Sequence, residues 1–144
     1  MTARAGERPA RTPVALAAAF GAIAVGIHFE LFPWQLNVWL RAWWLHFFAV
    51  TATALGTGHM LGIGGAGSRR EQVLRLRLAC VVPFTLLALH ELGQWLWPHE
   101  EHPDCLRDIG MNALGVTLAW WVLHRTLPPA AERRRGDGGA GGGT

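Results

Sequence analysis

Polar residues that could do chemistry concentrate on both sides of one acidic loop between two apolar segments. Glu91 and Gln94 come before the loop, and their spacing of three places them on one face of a helix. After the loop, Asp108, Asn112 and Gly115 follow at steps of four and three, which draws one stripe along a second helix. Carboxylates inside a bilayer are costly unless they are paired or hydrated, so these residues predict a functional site.

The composition is typical of an integral membrane protein. Hydrophobic residues make up 51% of the chain and charged residues only 16%, against roughly 25% charged in a typical soluble domain. There are eight Trp and no Tyr, and Trp favours the boundary between membrane and water. A nucleic-acid binder would gather its arginines on one folded face. Here they lie in termini and loops beside apolar segments, which argues against a nucleic-acid partner.

Four apolar segments predict an all-α polytopic membrane protein, a four-transmembrane-helix bundle in a single domain over residues 14–127. The predicted helices cover about 14–32, 36–55, 73–97 and 105–127. Each is long enough to cross the ~30 Å hydrocarbon core of a bilayer. Pro83 predicts a kink in the third helix. Residues 1–13 are expected to be a disordered basic arm and residues 128–144 a disordered tail.

The distribution of arginine predicts the orientation of the bundle. Nearly all of the arginine lies in the N-terminal arm, in the loop between the second and third helices, and in the C-terminal tail. Arginine-rich segments stay in the cytoplasm, so both termini are predicted to be cytoplasmic. A cleaved signal peptide is an alternative for the first segment. Its apolar run continues to Phe32, which favours a retained helix.

When the polar residues are placed by depth, they gather in the outer half of the predicted bundle. Nearest the outer boundary are Glu30, Arg41, Gln94 and Asp108, followed by His28, His90, Glu91 and Asn112, with His46 deepest. We therefore expect a polar cleft open to the outside, with Arg41 offsetting the charge of Asp108 or Glu91. The candidate ligand-binding residues are Arg41, His46, Glu91, Gln94, Asp108 and Asn112.

Structural interpretations remain open beside ligand binding. Polar residues near helix ends can simply reach the head-group region, which would account for Glu30, Arg41 and Gln94. The deeper polar groups can form hydrogen bonds between the third and fourth helices, roughly 0.6 kcal/mol each. Gly115 and Ala119 have the small-xxx-small spacing that supports close helix packing.

No cofactor or metal site is predicted, although two alternatives were weighed. His46 and His90 fall at similar depth, so a haem with two histidine ligands is an alternative. Zinc held by a set drawn from His90, Glu91, His99, His102 and Asp104 is another, but their spacing matches no zinc motif. Cys80 and Cys105 are expected to be free thiols, since roughly 25 Å of helix separates them.

At these residues the chain resembles the VanZ-like family of small bacterial integral membrane proteins. The resemblance rests on Glu91-x-x-Gln94 before the loop and Asp108-x-x-x-Asn112-x-x-Gly115 after it, with Asp104 ahead of them and the pair His46-Phe47 on an earlier helix. Two departures stand out. Trp43 occupies the place of the family's basic residue, with Arg41 two positions earlier. The family's loop arginine is absent unless Arg107 replaces it.

The resemblance implies a role at the cell envelope, in the bacterial plasma membrane, without naming a reaction. The family is similar to the accessory protein linked with low-level glycopeptide (teicoplanin) resistance. The leading expectation is therefore a cleft that binds the head group of an envelope lipid or glycolipid. The alternatives are a membrane-embedded hydrolase or transferase with Glu91 or Asp108 as general base, a b-type cytochrome, and a structural helper for a partner membrane protein.

Overall fold

The computed structural model describes residues 11–96 and 105–127, and this part of the chain contains five α-helices and no strand. They are α1 (Arg11–His28), α2 (Trp34–Trp43), α3 (Leu45–Met60), α4 (Arg69–Leu96) and α5 (Cys105–His124). The all-α prediction is confirmed. Helix α3 is central, since it packs against α1, α4 and α5, and α4 also packs against α5.

The first helix begins earlier than predicted. Residues 11–13, assigned from the sequence to the basic arm, belong to α1. Pro13 falls in the first turn, where its missing N–H would have had no partner within the helix. The rest of the predicted arm, residues 1–10, and the predicted tail, residues 128–144, lie outside the described residues.

The single helix predicted over residues 36–55 is wrong, because two helices, α2 and α3, cover this segment. They are separated at Trp44, whose backbone has φ −122° and ψ −14°. The indole of Trp44 packs against Trp39, Phe47 and Phe48, with ring centroids 5.6–6.2 Å apart. We attribute the break to this cluster, since the bulky rings pack together where the chain leaves regular helical geometry.

Helix α4 begins at Arg69, four residues before the predicted start. Ser68 and Glu71 form a reciprocal cap: the Ser68 N–H donates to Glu71 Oε2 at 2.8 Å, and the Glu71 N–H donates to Ser68 Oγ at 3.3 Å. This is the Ser-x-x-Glu capping box, a signal that the sequence contained. The helix then continues through Pro83.

The glycine-rich loop between α3 and α4 is tied down by one buried side chain. Gln72 is completely buried and accepts a hydrogen bond from the Gly64 N–H at 3.0 Å. Its amide donates to the carbonyls of Gly65 and Ala66 at 3.1 and 3.2 Å. Gly64 has φ +82°, a conformation that costs glycine little and other residues more. This network closes the α3–α4 end of the bundle.

Helices α3 and α5 approach closely at Gly115. A Cβ added at Gly115 would lie 2.7 Å from both the Phe47 carbonyl oxygen and Thr51 Oγ1, and would also meet Val50. Ala119, one turn further along α5, is fully buried in the same core as Ala54, Leu55 and Leu123. The small residues therefore pack α5 against α3 as well as placing Asp108 at the mouth of the bundle.

One helix among the described residues is long and apolar enough to cross a membrane by length and composition. It covers Arg69–Gln94 within α4, with a mean hydropathy of 1.7. Most of this apolar stretch lies at the surface of the structure, since only 22% of it is buried. The apolar helix over Thr12–His28 is shorter.

Candidate functional site

A cleft of about 690 Å³ opens at the end of the bundle where α1 ends and α5 begins. All five helices contribute to it. Its apolar lining residues, which we call the apolar wall, include Ala24, Val25, Leu45, Ala49 and Leu87. Its polar lining residues, which we call the polar wall, include Arg41, His46, His90, Glu91, Gln94 and Asp108, and both sets contain residues of α3 and α4. Ligand sites typically occupy roughly 300–1,000 Å³ and combine apolar walls with a few polar groups, so the cleft is the candidate site.

Three side chains from three helices meet in the polar wall. His46 comes from α3, Glu91 from α4 and Asp108 from α5. The two nitrogens of the His46 ring face different carboxylates: Nδ1 lies 3.5 Å from Glu91 Oε1, and Nε2 lies 3.7 Å from Asp108 Oδ2. The packing of α3 against both α4 and α5 brings these residues together, although they are far apart in the sequence. We call His46, Glu91 and Asp108 the polar triad.

Glu91 is the most deeply placed member of the polar triad. It is only 4% exposed, and within residues 11–96 and 105–127 it makes no hydrogen bond, with His46 as its one ion-pair neighbour. Burying a carboxylate without hydrogen bonds is costly. A favourable interaction with a group from outside the chain would remove that cost.

The counter-charges differ from the prediction. Arg41 was expected to offset Asp108 or Glu91, but it pairs with Glu30 at 3.0 Å on the exposed rim. Glu30 adopts φ +58° in the turn between α1 and α2, which brings its carboxylate to the last turn of α2. The charge of Asp108 is met instead by its neighbour Arg107, whose Nε lies 3.3 Å from Asp108 Oδ1.

Arg107 is not among the residues that line the cleft, but it contacts one of them, Asp108. Its guanidinium lies 5.2 Å from the centroid of the Trp43 ring, a cation–π contact between α5 and α2. A basic residue next to an aspartate at a helix start was visible in the sequence. The contact with Trp43 was not, because it depends on the break between α2 and α3.

Gln94 and His90 form a pair of their own on α4. Gln94 Nε2 lies 2.8 Å from His90 Nε2, so the amide donates to the ring when that nitrogen is unprotonated. Both residues line the cleft beside the polar triad. The residues His99, His102 and Asp104 of the zinc alternative lie outside the described residues.

Asn112 is the one predicted site residue that does not line the cleft. It lies one turn from Asp108 along α5 and is completely buried. Neither its Nδ2 nor its Oδ1 has a hydrogen-bond partner among the described residues. Asn112 therefore does not make the interhelical hydrogen bond expected in the structural interpretation with any described residue. The other five predicted residues converge as expected, and binding by them stays a prediction.

The two cysteines take no part in the polar wall. Cys80 and Cys105 are free thiols, and both are buried. Comparisons of the chain with models of known protein families, with curated proteins and with solved structures found no match.

Proposed function

We propose that the chain is a VanZ-like, multi-pass protein of the bacterial plasma membrane that binds the head group of an envelope lipid or glycolipid. The single observation that carries the proposal is the mixed lining of the cleft, which combines apolar side chains with charged and amide groups. A lipid likewise combines apolar acyl chains with a polar head group. A role in the envelope response to glycopeptide antibiotics belongs to the same proposal.

The outer surface of α4 supports the membrane part of the proposal. Large apolar side chains 42–66% exposed follow its length: Leu74, Leu78, Val81, Val82, Leu86, Leu89, Leu92 and Leu96. Exposed apolar surface of this extent is unfavourable in water and favourable against acyl chains. In the proposed topology the chain crosses the membrane four times: through α1, through α2 and α3 together, through α4, and through α5. Both termini would lie in the cytoplasm, and the cleft would open to the outside.

The polar wall has groups for both ends of a zwitterionic or hydroxylated head group. The carboxylates of Glu91 and Asp108 would accept hydrogen bonds from an ammonium or sugar hydroxyl. Arg41, at the rim, would meet a phosphate. The apolar wall that includes Val25 and Leu87 would then lie along the first methylenes of the acyl chains.

The proposal is tested by lipid retention in Asp108→Ala. The purified protein is reconstituted in phosphatidylcholine nanodiscs that also contain phosphatidylethanolamine, phosphatidylglycerol and a monoglycosyl diacylglycerol in equal amounts. Native mass spectrometry then measures which lipid stays bound to the released protein. We expect the wild type to retain lipid of one head-group class. In Asp108→Ala, the fraction of protein with that lipid bound should be at least tenfold lower.

Thr117→Ala is the matched control. Thr117 lies on the exposed side of α5, and its hydroxyl donates only to the Ala113 carbonyl of the same helix. The control variant should retain lipid as the wild type does. Equal occupancy in Asp108→Ala and wild type, with both inserted in the membrane, would contradict the proposed site.

A second candidate function, hydrolysis or transfer on a lipid-linked substrate, is favoured by one observation. The imidazole of His46 lies between the carboxylates of Glu91 and Asp108, and a histidine oriented by a carboxylate is a common general base. Turnover of radiolabelled envelope lipids by the purified protein, lost in His46→Ala, would support an enzyme. Binding without turnover would leave the head-group proposal.

The cytochrome alternative gains nothing from the geometry. Both ring nitrogens of His46 face carboxylates, and His90 Nε2 lies beside Gln94. An absorption spectrum of the purified protein with a Soret band would revive it. A partner membrane protein would be detected by affinity purification after mild detergent extraction.

A further inference from the structure

We propose that the polar triad of His46, Glu91 and Asp108 is a binding site for one divalent transition-metal ion, with Zn²⁺ and Mn²⁺ as the ions that fit its ligands. The site goes beyond the head-group proposal and does not depend on it, because it rests on three side chains rather than on the cleft as a whole. It also differs from the zinc set considered from the sequence, with which it shares only Glu91.

Potential ligand atoms converge in the polar triad. One nitrogen of His46 and one oxygen from each of Glu91 and Asp108 lie within 4.8 Å of one another. Around an ion with bonds of about 2.1 Å, neighbouring ligand atoms are about 3.0–3.4 Å apart. Small side-chain movements would therefore close the three atoms around an ion. Each ligand comes from a different helix, so local sequence spacing does not explain their meeting.

A second observation is the burial of Glu91. Its side chain is only 4% exposed, and within the described residues its carboxylate makes no hydrogen bond and meets only the His46 ring, at 3.5 Å. Burying a carboxylate without hydrogen bonds is costly. A cation bound by Glu91 would offset that cost.

The charges of the polar triad also favour a cation. Glu91 and Asp108 carry two negative charges when ionised, and Arg107 contacts only Asp108 among the three triad residues. Arg41 is paired with Glu30 on the rim. A divalent ion beside Glu91 would balance the carboxylate that neither arginine contacts. The competing state without metal is a protonated His46 bridging the two carboxylates, and the experiment below separates the two.

The ligand set indicates the class of ion. The imidazole suits Zn²⁺ and the two carboxylates suit Mn²⁺, whereas the set has neither the thiolates of soft-metal sites nor the all-oxygen ligands typical of Ca²⁺ and Mg²⁺ sites. Three protein ligands leave at least one coordination position free. Since the triad residues line the cleft, that position would face the cleft, where it would take water or an oxygen of a bound head group.

The site is tested by metal titration of the full-length protein in detergent, after removal of metal with EDTA. Isothermal titration calorimetry with Zn²⁺, and separately with Mn²⁺, gives affinity and stoichiometry. We expect a 1:1 site in the wild type, with affinity at least tenfold weaker in each of His46→Gln, Glu91→Gln and Asp108→Asn. These substitutions keep side-chain size close to the original, and circular dichroism checks that each variant is folded.

Matched controls are available on the same elements. His59→Gln removes an exposed histidine further along α3, and Glu30→Gln removes a carboxylate at the rim that is outside the triad. Both should bind the ion as the wild type does. Electron paramagnetic resonance of bound Mn²⁺ should also show coupling to an imidazole nitrogen that disappears in His46→Gln.

The proposal is overturned if the wild type binds neither ion, or if any triad variant that is folded binds within tenfold of the wild type. Tight zinc binding that survives in all three variants would belong to other histidines and would equally overturn it. Lipid retention measured in EDTA is independent of these outcomes, so failure of the metal site and failure of the head-group proposal are distinguishable.

Discussion

Each end of α4 carries a buried polar side chain, but only one of the two makes hydrogen bonds with the described residues. Near its start, Gln72 is fully buried and makes three hydrogen bonds to the backbone of the preceding loop. Near its end, Glu91 is almost as deeply buried and makes none within the described residues. A buried polar group that is hydrogen-bonded is compatible with a stable fold, whereas one without hydrogen bonds costs free energy. The burial of a polar side chain is therefore compensated at the first end of α4 and only partly compensated, by the His46 ring, at the second.

Gln72→Leu is expected to have the largest effect on stability, and it tests the contrast between the two ends directly. The substitution leaves the Gly64 N–H and the Gly65 and Ala66 carbonyls without their partner, and should lower the free energy of unfolding by about 3 kcal/mol. Denaturant unfolding in detergent micelles, followed by circular dichroism, measures the loss. Thr117→Ala, which removes one exposed hydroxyl, is the control and should leave stability unchanged. A loss no larger than that of the control would break the contrast.

A smaller loss is expected for Gly115→Ala, which tests the packing that places Asp108. The added methyl meets the Phe47 carbonyl and Thr51 Oγ1, so the helices must separate, at about 1–3 kcal/mol. Gly110→Ala on the same helix is the control, since a Cβ there meets nothing within 4 Å. Its better helix propensity should raise stability by up to about 1 kcal/mol. Thermal unfolding compares the two, and equal melting temperatures would contradict close α3–α5 packing.

The smallest change in stability is expected for Glu91→Gln in the absence of metal. Removing a buried charge that has no hydrogen bond should leave the free energy of unfolding unchanged or raise it by up to about 1 kcal/mol. Addition of Zn²⁺ should raise the melting temperature of the wild type and leave that of Glu91→Gln where it was. A marked loss of stability in EDTA would instead make Glu91 a structural residue like Gln72.

Much of the fold was readable from the sequence because it follows from local patterns. The apolar runs predicted α-helices, and the positions of α4 and α5 were close. The start of α4 is also encoded locally, by the capping box of Ser68 and Glu71. The break at Trp44 was not readable, because it depends on how aromatic rings from both helices pack in three dimensions. The same is true of Gln72, whose partners are backbone atoms of a loop.

The gathering of polar side chains around one cleft was predicted in outline, and their role in binding stays a prediction. Counting depth along each helix correctly gathered Arg41, His46, Glu91, Gln94 and Asp108 around one cleft. The ion pairs within it were not predictable, since they depend on helix rotation and on the left-handed turn at Glu30. Depth says which residues share a layer of a bundle. It does not say which of them touch.

The rim pair of Arg41 and Glu30 has a consequence for how a ligand would be received. Both side chains are about half exposed, and ion pairs in contact with water contribute at most about 1 kcal/mol. An incoming phosphate could therefore replace Glu30 as the partner of Arg41 with little loss of free energy. Until then the ion pair would hold the Arg41 guanidinium in place at the rim of the cleft.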